Sequence, residues 1–176
     1  MPSLHRNPDD YLLDGLARQS AQVREVSTIR RSNTHNFFGL VNNNQVIPAT
    51  TFTKVVGYTT YYTSPAAAWN GTDNTYTPEE SGIYMVVANI NWALATTQLS
   101  ATYITEDPTG ASFLAGSGWN QVAGTGYTTA MTTITQFDGG SPYALWIYMY
   151  GAGGTIQGGA STLQIHRMGD VPDAHV

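Results

Sequence analysis

From Gly82 to Leu94 apolar side chains recur at every second position. Tyr84, Val86, Ala88, Ile90, Trp92 and Leu94 fall on one face, and Met85, Val87, Asn89 and Asn91 on the other. A period of two is that of a strand; a helix would repeat about every 3.6 residues. Such a strand buries its apolar face only against a second layer, so the rest of the chain must supply sheets rather than helices. It does so in short alternating runs separated by Gly, Pro, Asn and Asp clusters. Strands are expected at 51–57, 58–63, 82–94, 99–105, 111–115, 127–137, 143–150 and 162–168. The breaks are Asn70-Gly71, Asp107-Pro108, Asp138-Gly139-Gly140 and the run Gly151 to Gly159. Eight strands at this spacing predict an all-β sandwich or jelly roll.

Charge divides the chain of 176 residues in two. Residues 1–31 hold Arg6, Arg18, Arg24, Arg30 and Arg31 against Asp9, Asp10, Asp14 and Glu25, or 5 − 4 = +1. The remainder holds Lys54 and Arg167 against eight acids, or 2 − 8 = −6. A body with two cations repels phosphate backbones, which argues against nucleic acid as a partner. With 11% charged and 41% hydrophobic residues the composition is not that of a disordered chain. No apolar run reaches about 18 residues, and the first eleven residues carry no signal-peptide pattern, so a cytosolic origin without membrane insertion is expected. The absence of cysteine excludes disulfides and thiolate metal sites.

The basic part reads as a helix over about 8–28. Asn7 is a cap, Pro8 suits the first helical position, and Asp9 and Asp10 face the positive end of the helix dipole. Leu12, Leu16, Gln19, Val23 and Val26 form a narrow seam at spacings of 4, 3, 4 and 3. An amphipathic helix packed on its own domain satisfies that seam. A short coiled coil at the base of a homotrimer, or docking on a larger assembly, does so too. The organisation expected is an anchoring arm over 1–44, a jelly-roll head over 45–170 and a tail over 171–176.

The strand at 143–150 is apolar on both faces. Leu145, Ile147 and Met149 suit the sandwich interior, leaving Trp146, Tyr148 and Tyr150 in need of a second dry surface. A further layer of the same chain or a neighbouring subunit could supply it, and the neighbour is favoured because few elements are spare. Trp146, Tyr148 and Tyr150 are therefore candidate trimer contacts, with Leu12, Leu16, Val23 and Val26 of the arm.

Residues 45–170 resemble a known family. Phe52-Thr-Lys-Val-Val56, followed by Tyr76 six residues before Gly82-Ile-Tyr84 and a long apolar strand, is similar to the trimeric heads of complement-q and tumour-necrosis-factor type. The resemblance implies a homotrimeric jelly roll. Two departures are visible: Gly140-Ser141-Pro142 replaces a Gly-Asp turn, and the closing Phe-x-Gly reads Leu163-Gln-Ile165. With its charged helical start and cysteine-free head, the whole also resembles small tail-tip and fibre proteins of bacteriophages of actinobacteria. That resemblance implies a virion protein assembled in the bacterial cytoplasm, held to other virion proteins by residues 1–31. A minor tail position facing the host is one placement, and capsid decoration or a head fibre is the other.

Catalytic patterns are missing. His5, His35, His166 and His175 have no Ser or Asp at triad spacing, and the glycine clusters lack the Lys-Ser or Lys-Thr of a phosphate loop. Glu79-Glu80 and Glu106-Asp107 are sequence neighbours, which does not place two carboxyls across a cleft. No enzyme activity, metal or cofactor is expected. The better candidates are aromatic residues beside amides and acids: Trp69 and Asn70, Trp119 and Asn120, and Tyr127, with Tyr61, Tyr62, Asp73, Asn74 and Gln121 nearby. Flat rings suit the C–H faces of sugars, so a host-surface polysaccharide is the expected ligand. Plugging the ends of the sandwich or the seams of a trimer is the competing use for these rings.

Overall fold

A computed structural model describes residues 36–94, 98–106, 113–116, 120–122 and 125–171. The arm helix over 8–28, with Leu12, Leu16, Val23 and Val26, lies outside the described residues, as does Trp119. The strands are β1 (Asn36–Val41), β2 (Gln45–Ile47), β3 (Phe52–Lys54), β4 (Tyr58–Ser64), β5 (Trp69–Asn70), β6 (Thr75–Tyr76) and β7 (Gly82–Ala93). They continue with β8 (Gln98–Thr105), β9 (Phe113–Gly116), β10 (Asn120–Val122), β11 (Thr125–Phe137), β12 (Ala144–Tyr150), β13 (Gly154–Ile156) and β14 (Thr162–Gly169).

The first sheet runs β2-β13-β7-β14-β1-β4, with β11 on the other side of β7. The second runs β10-β8-β12-β3, with β9 also on β8. Neighbours such as β7 and β14 or β8 and β12 are far apart in sequence and antiparallel, so the chain crosses repeatedly between sheets. That connectivity is a jelly-roll sandwich.

The alternation from Gly82 sets the register. Tyr84, Val86, Ala88, Ile90 and Trp92 are buried, while the odd-numbered residues between them are half-buried. Leu145, Ile147 and Met149 meet them from β12, and Phe37, Val41, Leu163 and Ile165 join from β1 and β14. One end of this core is aromatic. Phe137 stacks on Tyr143 at 3.8 Å and on Tyr84 at 4.9 Å, and Tyr76 lies 6.3 Å from Tyr84. The spacing of Tyr76 before Gly82-x-Tyr84 thus brings two rings into contact across a turn. Burial of each such side chain contributes roughly 1.5–3 kcal/mol.

Two expectations need amendment. Among the described residues the sandwich takes in β1 from Asn36, ahead of the 45 expected, because β1 alternates Phe37, Gly39 and Val41 inward and sits between β14 and β4. Gly39 is small for a reason: a Cβ there would lie 2.5 Å from the Phe37 ring. The run Gly151 to Gly159 is not only a break, since it contains β13, which pairs with β2 and with the end of β7. The Asn70-Gly71 turn does close a short hairpin, in which Trp69 pairs with Tyr76 and Asn70 with Thr75.

Candidate binding surfaces

The outer face of the first sheet is built by strand register. One row reads Ile134, Met85, His166, Asn36 and Ser64 across β11, β7, β14, β1 and β4. The next reads Thr132, Val87, Gln164, Phe38 and Tyr62, and the third Ala130, Asn89, Thr162, Leu40 and Thr59. None of these fifteen side chains is Asp, Glu, Lys or Arg. Ile134 is 64% exposed and Tyr61, which stacks on Phe38, is 63% exposed. At the centre His166 has ring nitrogens 3.2 Å from Asn36 Oδ1 and 3.4 Å from Gln164 Oε1. The sequence pattern carried this face as the "other side" of the Gly82 strand; the pairing of five strands shows its extent.

Trp146, Tyr148 and Tyr150 lie on the outer face of the second sheet. Trp146 is only 9% exposed, whereas Tyr150 is 59% exposed. Much of the second dry surface comes from the same chain. Phe52 on β3 lies 4.8 Å from Tyr148 and 5.7 Å from Tyr103 on β8, and Lys54 Nζ sits 5.7 Å above the Trp146 ring. Lys54 also donates to the Asp73 carbonyl at 3.1 Å, which fixes it there. Gly116 on β9 accommodates the Tyr103 ring, since a Cβ there would lie 2.5 Å from it. The Trp146 indole N–H is buried and unpartnered.

Among the described residues expected to bind sugar, Trp69 and Tyr127 lie apart. Trp69 stacks on Phe37 at 4.1 Å and meets Tyr58 edge-on at 5.3 Å, so its ring belongs to the core margin. Asn70 is engaged in its own turn: Oδ1 accepts from the N–H groups of Thr72 and Asp73, and Nδ2 donates to Asp73 Oδ2 at 2.7 Å. Asn74 Oδ1 accepts from Gly57 N–H at 2.8 Å. Tyr127 pairs with Trp92, whereas Phe37, under Trp69, is level with Ile165 and Val86. Six residues of β7 separate the two levels, roughly 20 Å at about 3.3 Å per residue. Asn120 lies on β10, opposite Ser100.

Carboxylates gather at one end of the sandwich. Glu79 and Glu80 precede β7, Glu106 follows β8, Asp138 follows β11 and Asp170 follows β14. Arg167 reaches this end from inside the sandwich with its side chain 1% exposed. Its Nη2 contacts Glu80 at 3.5 Å, donates to the Ser81 carbonyl at 3.3 Å and pairs with Asp170. A lone arginine at an inward strand position is a signal the sequence offers, and its charge demands such partners. Ser141 Oγ donates to Glu106 Oε1 at 2.9 Å, and the Asp138 N–H donates to the Tyr143 hydroxyl at 2.6 Å. Burial raises the Tyr76 phenol beyond its ordinary range and pushes Tyr84 up to about 12, opposed in both by the Arg167 charge. Among the described residues no three His, Asp or Glu side chains converge on a point that could hold a metal.

No family model and no curated protein matches this sequence. Solved structures do. The Eiger TNF of S. frugiperda matches with a TM-score of 0.52 at 12% identity, over 81% of this chain and 97% of that one. The globular domain of zebrafish complement 1qA matches with 0.54 at 9% identity, over 79% and 100%. Murine APRIL matches with 0.53 at 10% identity, over 76% and 98%. At these identities the likeness is one of fold: the head is a jelly roll of tumour-necrosis-factor and complement-q type.

Proposed function

We propose that this chain is a structural protein of a bacteriophage particle, a minor tail, tail-tip or fibre component, whose head is a homotrimer that faces the host. The observation that carries the trimer is the uncharged outer face of the first sheet. Its five strands and the five-residue length of the three rows span roughly 320–400 Å², at about 4.8 Å between strands and 3.3 Å per residue. A standard interface takes about 800 Å² from each partner. Side chains of this kind suit contact with further copies and offer water little charge.

Association through that face turns the second sheet outward. Phe52, Tyr103, Tyr148 and Tyr150 then form an outward aromatic surface of a kind that suits host envelope polysaccharide, in place of the separated Trp69 and Tyr127 sites. This assigns Trp146, Tyr148 and Tyr150 to the outside of the assembly and moves the interface to the opposite sheet.

Sedimentation equilibrium of the full chain at micromolar concentration is expected to give a trimer. Val87→Lys should give a folded monomer, because three ammonium groups would enter the seam without partners. A monomeric wild type, or a Val87→Lys trimer, refutes the interface. Tyr150→Ala should weaken binding to isolated host cell wall without changing the sedimentation mass. Antibody labelling of assembled particles tests the placement: label at the tail supports it, and label over the capsid makes the protein a decoration or head fibre instead.

A further inference from the structure

We infer that the association of heads through the first sheet is a pH switch, opened in mild acid by proton uptake at His166; this rests on the reading of that sheet's outer face as the seam between copies. His166 lies on β14, the central one of the five strands that build the face, and is half-buried there. Two amide oxygens hold its ring, Asn36 Oδ1 at 3.2 Å from Nδ1 and Gln164 Oε1 at 3.4 Å from Nε2. A neutral imidazole donates from one nitrogen and accepts at the other, whereas the imidazolium donates from both. Two oxygens suit the imidazolium, and with one amide turned about the same pair suits the neutral ring. The ring is held in place in either state.

Nothing described around the ring offers a counter-charge. From β7 it faces Met85, flanked by Ile83 and Val87, and from β1 it faces Asn36 and Phe38. On its own strand the neighbours on this face are Gln164 and Met168. Farther out are Ile134 on β11 and Ser64 and Tyr62 on β4, and the Tyr62 phenol is uncharged in acid. The adjacent Arg167 is itself a cation and turns inward to Glu80 and Asp170. A copy set on this face removes water from the ring. The amide oxygens serve the imidazolium in the free and in the associated head, so their effect cancels; the lost hydration does not cancel, and it disfavours the charged form. Three chains each bring one such ring to the seam. Protons therefore bind the separated heads more tightly than the trimer. Association is complete while the rings are neutral and is lost as pH falls through the range of about 8 to 5 in which imidazoles charge. Each proton taken up on dissociation changes the trimer dissociation constant about tenfold per pH unit, so three give a ceiling of about a thousandfold.

Sedimentation equilibrium of the full chain at constant ionic strength, stepped from about pH 7.5 to about pH 5, tests this. The wild type should pass from trimer to monomer with the circular dichroism of its sheet unchanged. H166Q keeps a donor and an acceptor without a titrating group, and should stay trimeric throughout. H166K carries the charge permanently and should be monomeric already at the upper pH. A wild-type monomer at the upper pH overturns the interface and the switch together. A wild-type trimer that persists at the lower pH leaves the interface standing and overturns the switch alone. Acid dissociation that H166Q retains also overturns it, and gives the effect to other groups such as the rim carboxylates Glu79, Glu80, Glu106, Asp138 and Asp170. A trimeric H166K, or loss of the sheet signal together with the trimer, overturns it as well.

Discussion

Replacing Thr129 by valine removes one oxygen from the core and leaves its shape almost unchanged. The Trp92 indole N–H donates to Thr129 Oγ1 at 3.0 Å, and both residues are buried. They are diagonal neighbours on β7 and β11, since Thr129 pairs with Ile90 and Tyr127 with Trp92. Valine leaves the indole N–H in the sandwich with no acceptor, at a cost of about 1–3 kcal/mol. The buried hydroxyl is lost at the same time, which offsets part of this, so a net loss of about 1–2 kcal/mol is expected. At this size 1 kcal/mol lowers the melting temperature by about 2–4 °C, giving a drop of roughly 2–8 °C. Thr129→Ser keeps the acceptor and deletes one methyl, for about 0.8 kcal/mol. Denaturant unfolding followed by tryptophan fluorescence at one protomer concentration measures both variants, a condition that matters if the head is a trimer. A cycle with Trp92→Phe isolates the pair and should show about 1 kcal/mol of coupling. Thr129→Val as stable as wild type, or no coupling in the cycle, would refute the reasoning.

Other expectations are shorter to state. Tyr58, Tyr76, Tyr84 and Tyr143 all have phenols raised by burial, Tyr84 to about 12. Unfolded phenols ionise near about 10. The stability tied to these protons is therefore complete below pH 10 and is lost as pH rises from about 10 through about 12. Absorbance of tyrosinate should show these four of the eleven tyrosines titrating late, together with loss of the circular dichroism of the sheet; a single transition near pH 10 with the fold intact contradicts this. Gly153→Ala should cost more than Gly140→Ala, although both have positive φ. At Gly153 the new Cβ would lie 2.6 Å from the Ile47 carbonyl oxygen, whereas at Gly140 it meets nothing within 4 Å. Thermal melts decide the order, and the reverse order would show that the β2–β13 junction yields easily.

Local pattern made the long strands legible. The strand expected at 82–94 is β7 within one residue, and that at 127–137 is β11 with two more residues at its start. The doubly apolar strand at 143–150 was legible too, but the source of its outer cover was not. Phe52 reaches both Tyr148 and Tyr103 only because β3 and β8 flank β12, and sequence spacing holds no trace of which strands will be neighbours. β1 escaped for a related reason. Its six residues are few and their alternation includes a glycine, so its place inside the sheet rests on pairing with β14 and β4. Trp69 shows the limit of reading a site from loop aromatics: a ring in a short hairpin beside amides has the same signature whether it faces a sugar or stacks on Phe37.

The position of β1 has a mechanical consequence. A load on the chain ahead of Asn36 runs along β1, and the backbone bonds to β14 and β4 lie across that direction on both sides. Such a load shears two ladders at once, so the bonds resist together and do not open one after another as in a peeled edge strand. A domain pulled through this strand is held one strand in from the β4 edge, and the load passes into β14 and β4 together before either ladder opens.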